Sequence, residues 1–96
     1  MGKRLDFLKA NSEAIRSIAA RHKGTSIAVF GSVARGEDRP DSDIDFLVTF
    51  DESVSIRDWM GLNEELEAFL KVPVDVVSTR GLKPRDTHIR EEAIAL

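Results

Sequence analysis

The sequence predicts an α/β fold of the α+β kind, in which helices pack against a mixed sheet of at least three strands. Three observations predict it. Three short runs, Ser26–Phe30, Ile44–Phe50 and Val74–Ser78, are rich in β-forming residues and bounded by Gly, Asp or Pro positions. The segments around them repeat apolar residues at helical spacing. At 96 residues and 42% hydrophobic content the chain can build one core and hardly a second, so residues 1–96 read as a single domain.

Each element has its own signal. Residues 3 to 22 place Leu5, Leu8, Ile15, Ile18 and Ala19 roughly on one side, with charged residues elsewhere. Asn11-Ser12 can cap a fresh helix, which would make this two short helices rather than one. Gly24, within Lys23-Gly24-Thr25, is a natural residue to follow the helix end. Ser26–Phe30 is a buried strand that stops at Gly31, followed by a short helical turn over Ser32–Arg35. Gly36 to Ser42, polar and containing Pro40, is a loop. Ile44–Phe50 is the longest strand candidate. Ser53 or Ser55 then caps a helix in which Trp59, Leu62, Leu66, Phe69 and Leu70 form an apolar stripe opposite Asn63, Glu64, Glu65 and Glu67. Trp59 is expected in the core. Pro73 fits the first position of the third strand, where its missing N–H does no harm. Gly81 to Pro84 is a loop and Asp86–Leu96 a final helix, giving the order α-β-α-β-α-β-α without repeat or linker.

Composition excludes several functions. The absence of cysteine removes disulfides, thiolate metal sites and Cys nucleophiles. Met1-Gly2-Lys3-Arg4 is basic, but no apolar run of signal-peptide or membrane-span length follows, so a soluble cytoplasmic protein without membrane association is expected. A net charge of −3 argues against direct nucleic-acid binding. The carboxylates crowded between Glu37 and Glu52 repel one another unless a cation neutralises them, which points to a divalent metal.

The residues that carry chemistry fall on three successive elements. Phe30-Gly31-Ser32 sets a glycine and a hydroxyl where a strand gives way to a short helix, an arrangement whose N–H groups can face an anion. Glycine leaves room for a triphosphate, and Arg35 is near enough to add a charged donor. Alone, this feature is equally an ordinary turn. Asp43 and Asp45 lie two apart at the start of a strand and project from one face, so their carboxylates can share a metal. A solvated strand edge is the bland alternative, but two bare like charges opening so apolar a strand are costly. Asp75, between Val74 and Val76, joins them if its strand lies beside Ile44–Phe50, and can then orient or deprotonate an attacking hydroxyl. Otherwise it is an edge residue facing water.

Two other patterns fail on inspection. Asp41, Asp43, Asp45 and Glu52 match positions of a calcium-binding loop, yet Phe46 stands where that loop needs glycine for its sharp turn. A phosphate-binding P-loop would need Gly-Lys-Ser/Thr after Gly31-Ser32, and Val33-Ala34-Arg35 follows instead. His22 and His88 read as surface or capping residues. Lys83, Arg85 and Arg90 read as a solvated face that can equally dock a partner.

Taken together, Phe30-Gly31-Ser32-Val33-Ala34-Arg35-Gly36-Glu37, then Asp43-Ile44-Asp45-Phe46 with ten residues between Ser32 and Asp43, and Val74-Asp75-Val76-Val77 make a specific pattern. It resembles the minimal nucleotidyltransferases of the DNA polymerase β superfamily, and among them the MntA-like antitoxins. The resemblance extends from about Ile27 to the Leu82-Lys83-Pro84 and Glu92-Ala93-Ile94 tail. It implies the small nucleotidyltransferase fold and transfer of a nucleotide from a nucleoside triphosphate, ATP, to a hydroxyl. By the same resemblance Gly31 and Ser32 hold phosphates, with Arg35 as a further contact, while Asp43 and Asp45 bind Mg²⁺. Asp75 completes the metal site or serves as base.

So short a chain has little room for a second substrate pocket, which points to an acceptor supplied from outside. The resemblance implies that this acceptor is a protein, a HEPN-type toxin silenced by AMP on a tyrosine. The expected activity is therefore that of an enzymatic antitoxin. Two other readings are a binding module that neutralises its partner by occlusion, and nucleotidyl transfer to RNA or a small molecule.

Overall fold

The helical spacing of residues 3–22 resolves into two helices, α1 (Lys3–Ala10) and α2 (Ser12–Arg21), in the computed structural model, which describes residues 3–39 and 41–96. Asn11 separates them as the α2 N-cap residue, though its side chain makes no capping bond to α2 and its amide donates instead to the Phe7 carbonyl of α1 at 2.8 Å. Met1, Gly2 and Pro40 lie outside the described residues. There follow β1 (Gly24–Phe30), α3 (Gly31–Arg35), β2 (Ile44–Phe50), α4 (Ile56–Leu70) and β3 (Val74–Ser78). Two 3-10 turns, Thr79–Gly81 and Pro84–Asp86, lead to α5 (Thr87–Glu92) and β4 (Ile94–Ala95).

The sheet has four strands in the order β3-β2-β1-β4, with β2 and β3 parallel and the other pairs antiparallel. It is the mixed sheet the sequence predicts, with one strand more than its minimum. The period of two along β2 sends Ile44, Phe46, Val48 and Phe50 into the core and leaves Asp45 and Thr49 on the opposite side. Ile27 and Val29 of β1 and Val74 and Val76 of β3 join the same core, with Ile15 and Ile18 of α2 and Leu62 and Leu66 of α4. Burying each such side chain contributes about 1.5–3 kcal/mol. Ser55 caps α4 in a reciprocal box with Asp58, which fixes the start of the crossover helix between the parallel strands β2 and β3.

Three expectations are corrected. The tail is not one helix, because α5 ends at Glu92 and Ile94–Ala95 pairs with Val29 and Ala28 of β1. The Leu96 N–H also reaches the Ile27 carbonyl at 3.0 Å. The edge of β1 would otherwise stand unpaired, and pairing there overrides local helix propensity. Gly24 is not the residue that ends α2. That left-handed position falls on Lys23, φ 67°, and Gly24 already opens β1, with Ala19 and Val48 close beside its Cα. Trp59 is not core but 37% exposed, its indole N–H donating to the Val76 carbonyl at 2.9 Å. His22 closes α2 as its C-cap residue and meets Glu65 at 2.8 Å, in keeping with a capping role. Among the described residues no helix is long and apolar enough to cross a membrane.

Candidate active site

The parallel register of β2 and β3 sets Asp45 directly beside Asp75. Strands lie about 4.8 Å apart, so like charges in register repel strongly. Both flank core residues, Ile44 and Phe46 on one strand, Val74 and Val76 on the other, and alternation turns both carboxylates to the same side of the sheet. Asp43 stands one residue before β2, exposed at the end of the Gly36–Ser42 loop. That loop is tied from outside, with Arg4 of α1 donating to the Ser42 carbonyl at 2.7 Å and to the Arg39 carbonyl at 3.2 Å. Its own ends are closed by Ser42, whose N–H meets the Arg39 carbonyl and whose hydroxyl accepts from the Arg39 N–H. The N–H of Ile44, between Asp43 and Asp45, donates to the Pro73 carbonyl at 3.1 Å and fastens the pair to the start of β3.

The third element comes from β1, where Phe30 pairs with Asp45 and the chain turns at once into α3. Gly31 has φ 75°, in the left-handed region where glycine is strongly favoured. A methyl group on its Cα would overlap Asp45 Oδ2, so backbone and carboxylate approach each other as only glycine permits. Gly36, φ 72°, closes the helix and returns the chain toward Asp43. Gly31-Ser32, Asp43, Asp45 and Asp75 are thus brought to one end of the sheet, as the sequence predicts. Asp75 lies exposed on the edge strand β3. Beside it Trp59, Met60, Asn63, Glu64 and Val74 line an open groove of about 360 Å³.

Electrostatics mark Asp45 as the residue at which the charges converge. Its carboxyl pKa is raised from the ordinary value, first by burial, then by Asp75, Asp43 and Glu92, with Arg35 opposing. A raised folded-state value means that ionisation weakens the fold as pH rises through it, and that the penalty vanishes below the unfolded value near 3.9. In metal-free buffer Asp45→Asn is therefore expected to raise the melting temperature at pH 7 by about 2–4 °C and to leave it unchanged near pH 3. Calorimetry at the two pH values checks the sign.

The three carboxylates offer only oxygen donors, the charges of Asp75 and Asp43 disfavour ionised Asp45, and such a set suits a hard divalent cation such as Mg²⁺. Among the described residues no three His, Cys, Asp or Glu side chains already stand as a ready-made metal cluster.

Two side chains alter the picture drawn from sequence. Arg35, expected to be a phosphate contact, is engaged within the protein, its Nε donating to Glu37 at 2.8 Å and its Nη1 to Glu92 at 3.0 and 3.2 Å. These carboxylates, Glu37 first, hold its guanidinium more firmly protonated than usual. Glu92 was not singled out by sequence, yet its Oε2 accepts from the Gly31 N–H at 2.6 Å. Sixty-one positions separate the two, and no local pattern links them. Of the basic residues near the tail, Arg90 donates to the Thr79 carbonyl, whereas Lys83 and Arg85 are exposed.

Comparison with known proteins bears on the family and the fold. The family model described as a nucleotidyltransferase domain matches residues 12–95. The protein adenylyltransferase MntA of Thermococcus cleftensis is 43% identical over 79 residues, which cover 74% of this chain and 80% of that protein. A solved structure assigned provisionally as a minimal nucleotidyltransferase is 48% identical and superposes with a TM-score of 0.86 over 100% of this chain and 97% of its own. A chain from the complex of the tri-AMPylated Shewanella oneidensis HEPN toxin with an MNT antitoxin, 20% identical, superposes with a TM-score of 0.67 over 91% of this chain and 69% of its own. At that identity the likeness is one of fold. The family match, the close relative and the four-stranded mixed sheet agree, and the chain belongs to the nucleotidyltransferase domain family.

Proposed function

We propose that this chain transfers AMP from ATP to a tyrosine hydroxyl of a HEPN-type partner protein and thereby acts as its antitoxin. The observation that carries the reading is the placement of Asp43, Asp45 and Asp75 at the end of the sheet where the Gly31-Ser32 turn lies, with Asp45 and Asp75 in register on neighbouring strands. Its support in the comparisons is the 43% identity to a protein adenylyltransferase and the fold shared with a chain of a complex whose HEPN toxin is AMPylated.

In this reading the acceptor oxygen forms a bond to the α-phosphorus of ATP, the bond to the bridging oxygen breaks, and pyrophosphate leaves. Asp43, Asp45 and Asp75 would hold Mg²⁺, which when bound neutralises the phosphates and stabilises the entering and departing oxygens. Gly31-Ser32 and Arg35 receive the phosphates, with Arg35 shared between phosphate and its two carboxylate partners. Asp75, exposed on the edge strand, is placed to orient the acceptor hydroxyl and take its proton. The groove beside Asp75 is open, which suits an acceptor carried on another protein.

The test uses ATP labelled either on its α- or on its γ-phosphate, with Mg²⁺ and the HEPN-type partner. Label from the α position alone is expected on the partner, at tyrosine. Transfer of the γ label, or no transfer from either, contradicts the proposal. A second expectation concerns binding: Mg²⁺ with a non-hydrolysable ATP analogue raises the melting temperature of the wild-type chain and leaves Asp43→Asn/Asp45→Asn unmoved.

A further inference from the structure

We infer that Glu92 is a positioning residue of the phosphate-binding turn, an inference that rests on the proposed roles of Gly31-Ser32 and Arg35 above. Gly31 has φ 75° and a Cβ there would overlap Asp45 Oδ2 where it now stands, while glycine's wide conformational range leaves the orientation of its peptide to be set by outside contacts. Something must fix it. The Glu92 carboxylate does so with a 2.6 Å bond from the Gly31 N–H, while the same group takes Arg35 Nη1 at 3.0 and 3.2 Å. One side chain therefore sets both the backbone turn and the one cation among the proposed site residues.

Glu92 is itself held on both sides. It is the last residue of α5, and the chain beyond it pairs at once with β1 through Ile94 and Ala95, the strand that ends at Gly31. Its position carries a cost, since its charge adds to those of Asp75 and Asp43 in disfavouring ionised Asp45. A fourth carboxylate in an acidic site is unfavourable unless it is paired, and Arg35 provides the pair. With both oxygens committed to Gly31 and Arg35, Glu92 serves the site through these groups rather than as a further metal ligand. Glu37 completes the clamp by holding Arg35 Nε from the other side.

The test is calorimetric titration of the whole chain with ATP in Mg²⁺, beside steady-state transfer to the HEPN-type partner, for wild type, Glu92→Ala and Glu92→Gln. Glu92→Ala is expected to weaken ATP binding about tenfold or more, the loss typical of a charge-assisted hydrogen bond. Glu92→Gln should fall between it and wild type, because the amide oxygen still accepts from the Gly31 N–H while the ion pair with Arg35 is gone. The KM for ATP should rise and the KM for the partner stay constant, a split that a general loss of stability does not produce. If Glu92→Ala does not fold, Glu92→Gln carries the same expectation. ATP binding as tight as wild type in the folded variants overturns the inference alone. Tighter binding also overturns it, since the carboxylate would then be competing with phosphate instead of holding the turn. A wild-type chain that binds no ATP overturns both this inference and the function on which it rests.

Discussion

Asp45→Asn is expected to reduce AMP transfer by about 10³-fold or more, roughly 4 kcal/mol of transition-state stabilisation, while leaving the protein folded. Asp45 sits closest to the centre of the charge cluster, registered against Asp75 and packed against Gly31, and its raised carboxyl marks it as the group whose charge most needs a cation. The amide keeps the shape and much of the hydrogen bonding but removes the charge. The same change relieves repulsion in metal-free protein, so lost activity should accompany a gain in stability. That combination separates a functional role from a structural one: an aspartate kept for folding would lose stability and activity together. Single-turnover transfer from labelled ATP, measured beside thermal melting of the same preparations, checks both halves.

Gly31→Ala is expected to have the second largest effect, lowering transfer about 10²-fold and costing roughly 1–3 kcal/mol in stability. Two independent strains combine at this position. An alanine at φ 75° is held in a backbone region it disfavours, and its methyl group would meet Asp45 Oδ2. Either the turn opens, breaking the bond from the Gly31 N–H to Glu92, or Asp45 swings away from Asp75 and Asp43. Both routes damage the site, and denaturant unfolding with activity on the same protein reads them out. Gly81→Ala is the control, since nothing lies within 4 Å of a methyl group there and its φ is not in the left-handed region.

Much of this was legible in the sequence because local rules and the fold agree. The three strands appear where β-rich runs were bounded by Gly, Asp and Pro, and Asp43 and Asp45 fall at the start of β2 as alternation requires. Their meeting with Asp75 needed one further condition, that β2 and β3 be neighbours, and the crossover through α4 supplies it. The parts that escaped sequence reading depend on distant contacts. The Ile94–Ala95 strand exists because β1 offers an edge. Trp59 fits the apolar stripe of α4, yet its indole N–H finds the Val76 carbonyl at the exposed margin of β3. Glu92 is one of two adjacent glutamates in a short helix, and nothing local distinguishes it from Glu91 as the one that reaches Gly31, beside the strand with which the tail pairs. Arg35 was read as a phosphate donor from its spacing, whereas its present partners are Glu37 and Glu92.

Transfer of AMP to a partner protein is most directly tested by the intact mass of a HEPN-type partner co-expressed with this chain. With the wild-type chain the partner should carry one or more added adenylate groups mapping to tyrosine, and with Asp43→Asn/Asp45→Asn it should carry none. A partner that is neutralised by the wild-type chain yet keeps its unmodified mass would contradict the account and leave occlusion as the means of neutralisation.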